Sequence, residues 1–291
     1  MNEKTQNNAI KTVVLPDGRL IPGLGQGTWR MGENPAKRDA EIEALRLGIE
    51  QGVTLIDTAE MYGSGGAEEI TGEAIRGFDR DALFLVSKVY PYNAGRTHIF
   101  KSCEDSLKRM GIGCLDLYLL HWRGSVPLRE TVECMEKLVR DGMIKGWGVS
   151  NFDVADLQEL WKAGGEACQV NQVLYHLGSR GIEFDLLPWM RKNHIPIMAY
   201  SPLAQAGRLR SGLLHSAVLS EVSRRHNAQP GQILLAFALR EKDLIAIPKA
   251  VSAAHVLQNA ESAGIELTDD DIALLSREFP APVRKMPLDM S

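Results

Sequence analysis

The sequence predicts a single α/β domain of the (β/α)8 class, a TIM barrel, with an N-terminal β-hairpin closing its bottom. Three observations predict it. Eight short apolar runs alternate with segments of helical period over roughly 240 residues. At 291 residues the chain exceeds an ordinary domain of about 150 but suits one barrel of roughly 250. No composition shift, linker or low-complexity stretch divides it, so residues 1–291 read as one domain. The rival is a doubly wound open sheet. Against it, no Gly-x-Gly-x-x-Gly opens any predicted helix, and the repeat count is eight.

The elements follow in order. Thr12-Val13-Val14-Leu15 and Arg19-Leu20-Ile21 flank Pro16-Asp17-Gly18, a turn between apolar strands, which predicts a hairpin over 11–22. Strands are then expected at 24–29, 54–58, 83–89, 115–121, 144–150, 168–174, 196–201 and 244–248. Between them, Ile42, Leu45 and Ile49 repeat with helical spacing, as do Val132, Met135 and Val139, and Val154, Leu157 and Trp161. Gln51-Gly52, Asp141-Gly142 and Asn193-His194-Ile195-Pro196 punctuate the joins. Two stretches break the rhythm. Residues 201–216, rich in Gly, Ala, Arg and Ser, read as a long functional loop, and 280–291, with three prolines, as a tail near a binding pocket.

Composition narrows the function. With 44% apolar and 24% charged residues the chain is globular rather than disordered. The longest apolar run, 233–239, is seven residues, far short of the roughly 20 that span a membrane. A net charge of −4 with no dense Lys/Arg block lacks the footprint of a nucleic-acid binder. Cys103, Cys114, Cys134 and Cys168 form no Cys-x-x-Cys pair, so reduced, buried thiols are expected and no metal. Residues 1–8 are polar, with no apolar export segment, so the cytoplasm is the default. No heptad is visible, and a monomer is expected.

Barrel strands buried on both faces should be nearly all apolar. The polar exceptions gather at strand ends: Asp57, Lys88, His121, Ser150-Asn151, Gln172, Tyr200-Ser201 and Pro248-Lys249. In a barrel those ends share one rim, and that rim carries catalysis. Asp57 and Lys88 can pair, which makes both tolerable at a buried site. Tyr62, five residues beyond Asp57, can lean over the same rim. Its ordinary pKa of about 10 is expected to fall beside a Lys88 ammonium. His121 can hydrogen-bond a substrate oxygen or pass a proton. Such a set suits protonating a carbonyl oxygen while its carbon receives hydride.

Asp57-Thr58-Ala59-Glu60-Met61-Tyr62-Gly63, Ser87-Lys88, Leu119-Leu120-His121-Trp122, Gly148-Val149-Ser150-Asn151 and Ile247-Pro248-Lys249 together resemble the signatures of the aldo-keto reductase superfamily. Their order and spacing match from the hairpin to the final helix, and the wording is most similar to the bacterial methylglyoxal and aldehyde reductases. The resemblance implies reduction of small aldehydes or ketoaldehydes by NADPH, with Tyr62 as general acid and Asp57, Lys88 and His121 completing a catalytic tetrad. It implies that Ser150, Asn151 and Gln172 bind the nicotinamide carboxamide, that Tyr200 stacks on the ring, and that Gly27, Thr28 and Asp57 lie beside the cofactor. Ser201, Pro202, Leu203, Gln205 and Gly207 would wrap the pyrophosphate, with Pro248, Lys249, Ala250, His255, Gln258 and Asn259 about the adenosine and its 2′-phosphate. Trp29, Tyr90 and Trp122, with Tyr62 and His121, would wall the substrate pocket, which Met286, Leu288 and Met290 of the tail would border.

The sequence departs from that family at the phosphate grip. Where the family places Ser and Arg, this chain has Ala250 and His255, so a hydroxyl and a permanent charge are lost. NADPH stays the expected cofactor through Lys249, with NADH tolerated. Three other readings compete: a metal-dependent hydrolase using Asp57 and His121, a Schiff-base lyase using Lys88, and a cofactor-binding regulatory or interaction module with little turnover.

Overall fold

The Pro16-Asp17-Gly18 turn folds as its residues demand. In the computed structural model, which describes residues 10–205 and 208–290 and not the side chains of 208–210, β1 (Thr12–Val14) and β2 (Leu20–Pro22) pair antiparallel, Val13 opposite Ile21. Gly18 takes φ 85°, and Asp17 Oδ1 accepts the Arg19 N–H at 3.0 Å.

Eight parallel strands follow: β3 (Gly25–Gly27), β4 (Leu55–Asp57), β5 (Phe84–Val89), β6 (Leu117–Leu120), β7 (Trp147–Ser150), β8 (Asn171–Leu174), β9 (Ile197–Tyr200) and β10 (Leu244–Ile247). Each lies within a run expected from the sequence, trimmed at its ends. They are hydrogen-bonded in chain order from β3 to β10, and a parallel bridge between Leu24 and Ala246 joins the first to the last. The result is a (β/α)8 barrel.

Alternation along each strand sorts the core into two. Leu55, Val86, Leu117, Leu119, Val170, Met198 and Ile245 point inward and pack together with Val13, Leu15 and Ile21 of the hairpin. The hairpin therefore plugs the end where strands begin. Arg19 Nη1 donates to the Asp116 carbonyl just before β6, and Lys11 reaches the carbonyls of Leu239 and Glu241 just before β10.

Outward-facing Leu85, Tyr118, Leu120 and Val149 meet the helices: α1 (Arg38–Glu50), α2 (Gly66–Ala74), α3 (Ile99–Met110), α4 (Leu128–Arg140), α5 (Val154–Lys162) and α6 (Leu186–Lys192). After β9 come α7 (Arg208–Leu214), α8 (Ala217–Arg225) and α9 (Pro230–Leu239), and after β10 come α10 (Ala253–Glu261) and α11 (Asp269–Glu278). The helical repeats fall on α1, α4 and α5. The seven-residue apolar run is α9, buried on nearly every side. No helix among the described residues is long and apolar enough to cross a membrane.

Three readings are corrected. Residues 201–216 are not wholly loop: 208–214 form α7, whose Leu213 is buried against Gly178. Two turns among small residues carry too little periodicity to show in sequence. His226, which its place in a predicted helix or loop of the sequence would put at the surface, is drawn inward because its Nε2 sits 2.8 Å from Asp271 Oδ2. Cys114 is only half-buried, whereas Cys103, Cys134 and Cys168 are buried as expected, and all four are free thiols. Burial pushes Cys168 up to about 12, so it is inert at neutral pH.

Candidate active site

The strand ends converge on a cavity of about 340 Å³ at the C-terminal rim. Asp57 ends β4, Lys88 sits near the end of β5, His121 follows β6, and Ser150 ends β7. Parallel pairing sets their heights, with Asp57 opposite Val86, Lys88 opposite Leu119, and Ser150 opposite Gln172.

Lys88 is fully buried, and its ammonium has three partners. Nζ donates to Asp57 Oδ1 at 2.6 Å, to the Thr58 carbonyl at 2.9 Å and to the Tyr62 hydroxyl at 3.3 Å. An ammonium has three protons and no lone pair, so all three are engaged. Lysine can only donate to the phenol oxygen, which leaves the phenol's own proton to point elsewhere. Tyr62 faces the cavity, so that proton is available there. Asp57 is held from its other side by Gln172 Nε2, which donates to Oδ2 at 2.8 Å.

Burial dominates the electrostatics. It raises the Asp57 carboxyl above its ordinary value, against the pull of Lys88 and Gln172. On Lys88 burial is the largest influence and works downward, but the charges and hydrogen bonds of Asp57 and Tyr62 together outweigh it, and the ammonium is held above its usual range. The expected lowering of Tyr62 is not met: burial raises the phenol, Lys88 opposes it and Asp57 adds to it, for a net rise. A phenol above its usual range keeps its proton at neutral pH, as an acid must. His121 is pushed down to about 2 by burial and then by Lys88, so it is neutral and serves as a hydrogen-bond partner rather than a proton source. Its ring meets Tyr62 edge-on, with centroids 5.6 Å apart.

The structure brings most of the predicted site together. Gly27, Thr28 and Trp29 line the cavity at and beyond the end of β3; Asp57 and Tyr62 at and beyond the end of β4; His121 and Trp122 after β6; and Ser150, Asn151, Gln172, Tyr200, Ser201 and Lys249 complete it. Ser150 Oγ donates to the Gln172 carbonyl at 2.9 Å, Asn151 Nδ2 to the His121 carbonyl at 3.1 Å, and the Tyr200 hydroxyl to Asn151 Oδ1 at 2.9 Å. One polar wall is thus knit across four strand ends.

Other predicted residues lie outside the cavity. Lys88 is beneath it. Tyr90 stands behind Trp122, edge-on at 5.0 Å between centroids. Pro202, Leu203 and Gln205 lie on the segment leaving β9, and Pro248, Ala250, His255, Gln258 and Asn259 run from the end of β10 into α10. Gly207 lies outside the described residues. Of the three tail residues expected at the pocket, Met290 alone lines it, while Met286 lies near Gly181 and Leu288 packs on the core. His176 is buried, accepts the Gly178 N–H on Nδ1 at 3.1 Å, and is pushed down to about 4 by burial.

Sequence reasoning missed Met61 and Ile247 as lining residues. Both sit within quoted motifs; Met61 directly precedes Tyr62, and Ile247 lies two residues before Lys249.

The residues present fit a nicotinamide dinucleotide. His121 Nδ1 and Gln205 Nε2 are buried side-chain atoms with no hydrogen-bond partner among the described residues, as expected where a polar ligand would complete them. Lys249 lines the cavity, and partial burial lowers its pKa, a cost an anionic group would offset. No group of three or more His, Cys, Asp or Glu among the described residues is placed to hold a metal ion.

Known proteins are similar to this chain in sequence and fold. The model of the Aldo/keto reductase family matches residues 23–277. Methylglyoxal reductase YeaE of Escherichia coli (strain K12) is 56% identical over 271 residues, 93% of this chain and 95% of that protein. Glyoxal reductase of Bacillus subtilis (strain 168) is 34% identical over 263 residues, 90% of each chain. A crystal structure of an aldo/keto reductase from Klebsiella pneumoniae in complex with NADP and acetate superposes with a TM-score of 0.93 at 54% identity, covering 97% of this chain and 99% of that one.

Proposed function

The chain belongs to the aldo/keto reductase family, and from that premise we propose that it reduces small aldehydes or ketoaldehydes to alcohols with NADPH, Tyr62 giving its proton to the carbonyl oxygen. The observation that carries this reading is the three-donor lysine: Lys88 spends every proton on Asp57, Thr58 and Tyr62 and leaves the phenol proton facing the cavity.

When bound, the reduced nicotinamide supplies the hydride. The protein's part is to bind, orient and protonate. Ser150, Asn151 and Gln172 offer amide and hydroxyl groups on one wall, and Tyr200 a ring on the same side. A substrate oxygen sits between the Tyr62 hydroxyl and the neutral His121 ring. As negative charge grows on that oxygen, the phenol proton moves to it, and the adjacent ammonium steadies the phenolate left behind. Asp57 keeps the ammonium charged and fixed. Trp29 and Trp122 supply flat apolar walls that suit small or aromatic aldehydes.

Consumption of NADPH and NADH over methylglyoxal, an aromatic aldehyde and a sugar aldehyde tests this. Turnover of at least one aldehyde, faster with NADPH, is the expected result. Cofactor binding with no turnover on any of them would replace it with the binding-module reading.

Preference for NADPH is expected to be modest, because Ala250 and His255 offer neither a hydroxyl nor a permanent charge. The double variant Ala250→Ser/His255→Arg is expected to raise the NADPH-to-NADH ratio of kcat/KM by about 10- to 100-fold, the worth of one or two charge-assisted hydrogen bonds. A ratio that stays at the wild-type value would show that the phosphate is held elsewhere.

A further inference from the structure

Tyr62 opens a turn in which one residue, Ser64, takes a backbone conformation that its side chain disfavours. Gly63, Ser64 and Gly65 take φ of 56°, 53° and 94°, three left-handed residues in a row, one of them not glycine. Gly63 and Gly65 take that region freely, and two carboxylates, one on each side of Tyr62, tie the turn to its surroundings.

Upstream, Glu60 Oε1 accepts the Tyr90 N–H at 2.6 Å and Asn93 Nδ2 at 3.1 Å, while its own N–H donates to the Lys88 carbonyl at 3.3 Å. Downstream, Glu68 is fully buried on α2. Its Oε1 accepts the Ser87 hydroxyl at 2.5 Å, and its Oε2 the Arg109 Nε–H at 2.6 Å. Arg109 also leans on the turn itself, since a Cβ on Gly65 would lie 2.7 Å from its Cδ. Ser87 directly precedes Lys88 on β5, and Tyr90 follows it by two residues.

Resting on the reading of Tyr62 as proton donor, we propose that Glu60 and Glu68 are positioning residues that staple the Tyr62 turn to β5 on either side of Lys88 and so set the lysine–phenol contact. That contact is 3.3 Å, already long for a hydrogen bond, so a few tenths of an ångström more would end it. Moving the turn away from β5 means breaking charge-assisted hydrogen bonds and leaving Oε1 of the buried Glu68 carboxylate without its Ser87 donor. The network therefore resists the one displacement that catalysis cannot tolerate.

The consequence is readable in pH. Tyr62 is faced by Lys88 from β5, Asp57 from β4 and the His121 ring beyond β6. Lys88 is the group that favours phenolate, so loosening its contact lets the phenol hold its proton more tightly. Reduction needs the protonated phenol, so the rate falls as pH rises through the phenol pKa. With the staple cut, that fall comes at higher pH and from a lower plateau.

Ser87→Ala and Glu60→Ala cut one staple each, and Ser87→Ala leaves the Glu68–Arg109 ion pair in place. Each is expected to lower kcat by about 10-fold, the effect of a sub-ångström misplacement, and to move the alkaline limb upward, with the NADPH Kd by fluorescence unchanged. Ser87→Thr keeps a hydroxyl on the strand and is expected to restore both readouts. A lower melting temperature with kcat and the alkaline limb at wild-type values would make the carboxylates purely structural and overturn the proposal. The two staples are independent arms, so an unfolded variant in one leaves the other to decide. A wild type that reduces no carbonyl would fail the reading of Tyr62 itself, and the proposal with it.

Discussion

Tyr62→Phe is expected to slow carbonyl reduction by at least about 100-fold while NADPH affinity stays within about two-fold of wild type. The change removes one oxygen and leaves the ring, so its edge-on contact with His121 and its place under the cavity persist. What is lost is the only group in the tetrad that both carries a transferable proton at neutral pH and faces the cavity. His121, at about 2, is neutral, and Lys88 is buried behind the phenol with its protons engaged. Stability should fall by no more than about 1–3 kcal/mol, because one Lys88 N–H loses its acceptor. Steady-state rates beside cofactor titration check it. A variant within about 10-fold of wild type would assign the proton to another donor, since acid catalysis is worth at least 100-fold.

Lys88→Met should be costlier, because it strikes the fold and the chemistry together. The substitution keeps the apolar stem but removes the charge opposite Asp57, 2.6 Å away in a fully buried pair. Stranding a buried charge in this way costs about 3–5 kcal/mol. Activity should drop at least as far as in Tyr62→Phe, since the phenolate loses its cation. The pH dependence has a definite sign. Asp57 already has a raised pKa from burial, and a raised carboxyl contributes stability that is present below its unfolded value and lost as pH rises through the folded one. Without Lys88 that loss deepens, so the melting deficit should be larger at pH 8 than at pH 5. Adding Asp57→Asn to Lys88→Met should recover stability without recovering turnover. An unaltered melting temperature in the single variant would contradict the pairing.

Why so much was legible follows from the barrel itself. A strand buried on both faces has few reasons to carry a polar residue, so Asp57, Lys88, His121 and Gln172 stood out against apolar neighbours. Their meeting in space follows from parallel topology, which brings every strand's C-terminal end to one rim. The turn Pro16-Asp17-Gly18 fixed the hairpin for equally local reasons.

What stayed hidden depends on contacts distant in the chain. The inward pull on His226 comes from Asp271, 45 residues away. The upward shift of Tyr62 comes from burial, whereas the sequence offers only its charged neighbour Lys88. Glu68 reads as one more polar residue at the start of a helix until Ser87 and Arg109 are seen to close on it. That Met290 alone of the three tail candidates lines the pocket is not legible in sequence, because the path of the tail rests on side-chain ties such as Ser179 to Asp289.

The proposed reaction moves a hydride to a carbonyl carbon while Tyr62 protonates the oxygen. NADPH carrying deuterium at both C4 positions, incubated with the protein and an aromatic aldehyde, tests it most directly by mass spectrometry of the product. The expected product is an alcohol with one deuterium on the carbinol carbon for each NADPH consumed, and almost none of it when Tyr62→Phe replaces the wild type. Cofactor that binds yet gives unlabelled alcohol, or none at all, would contradict it.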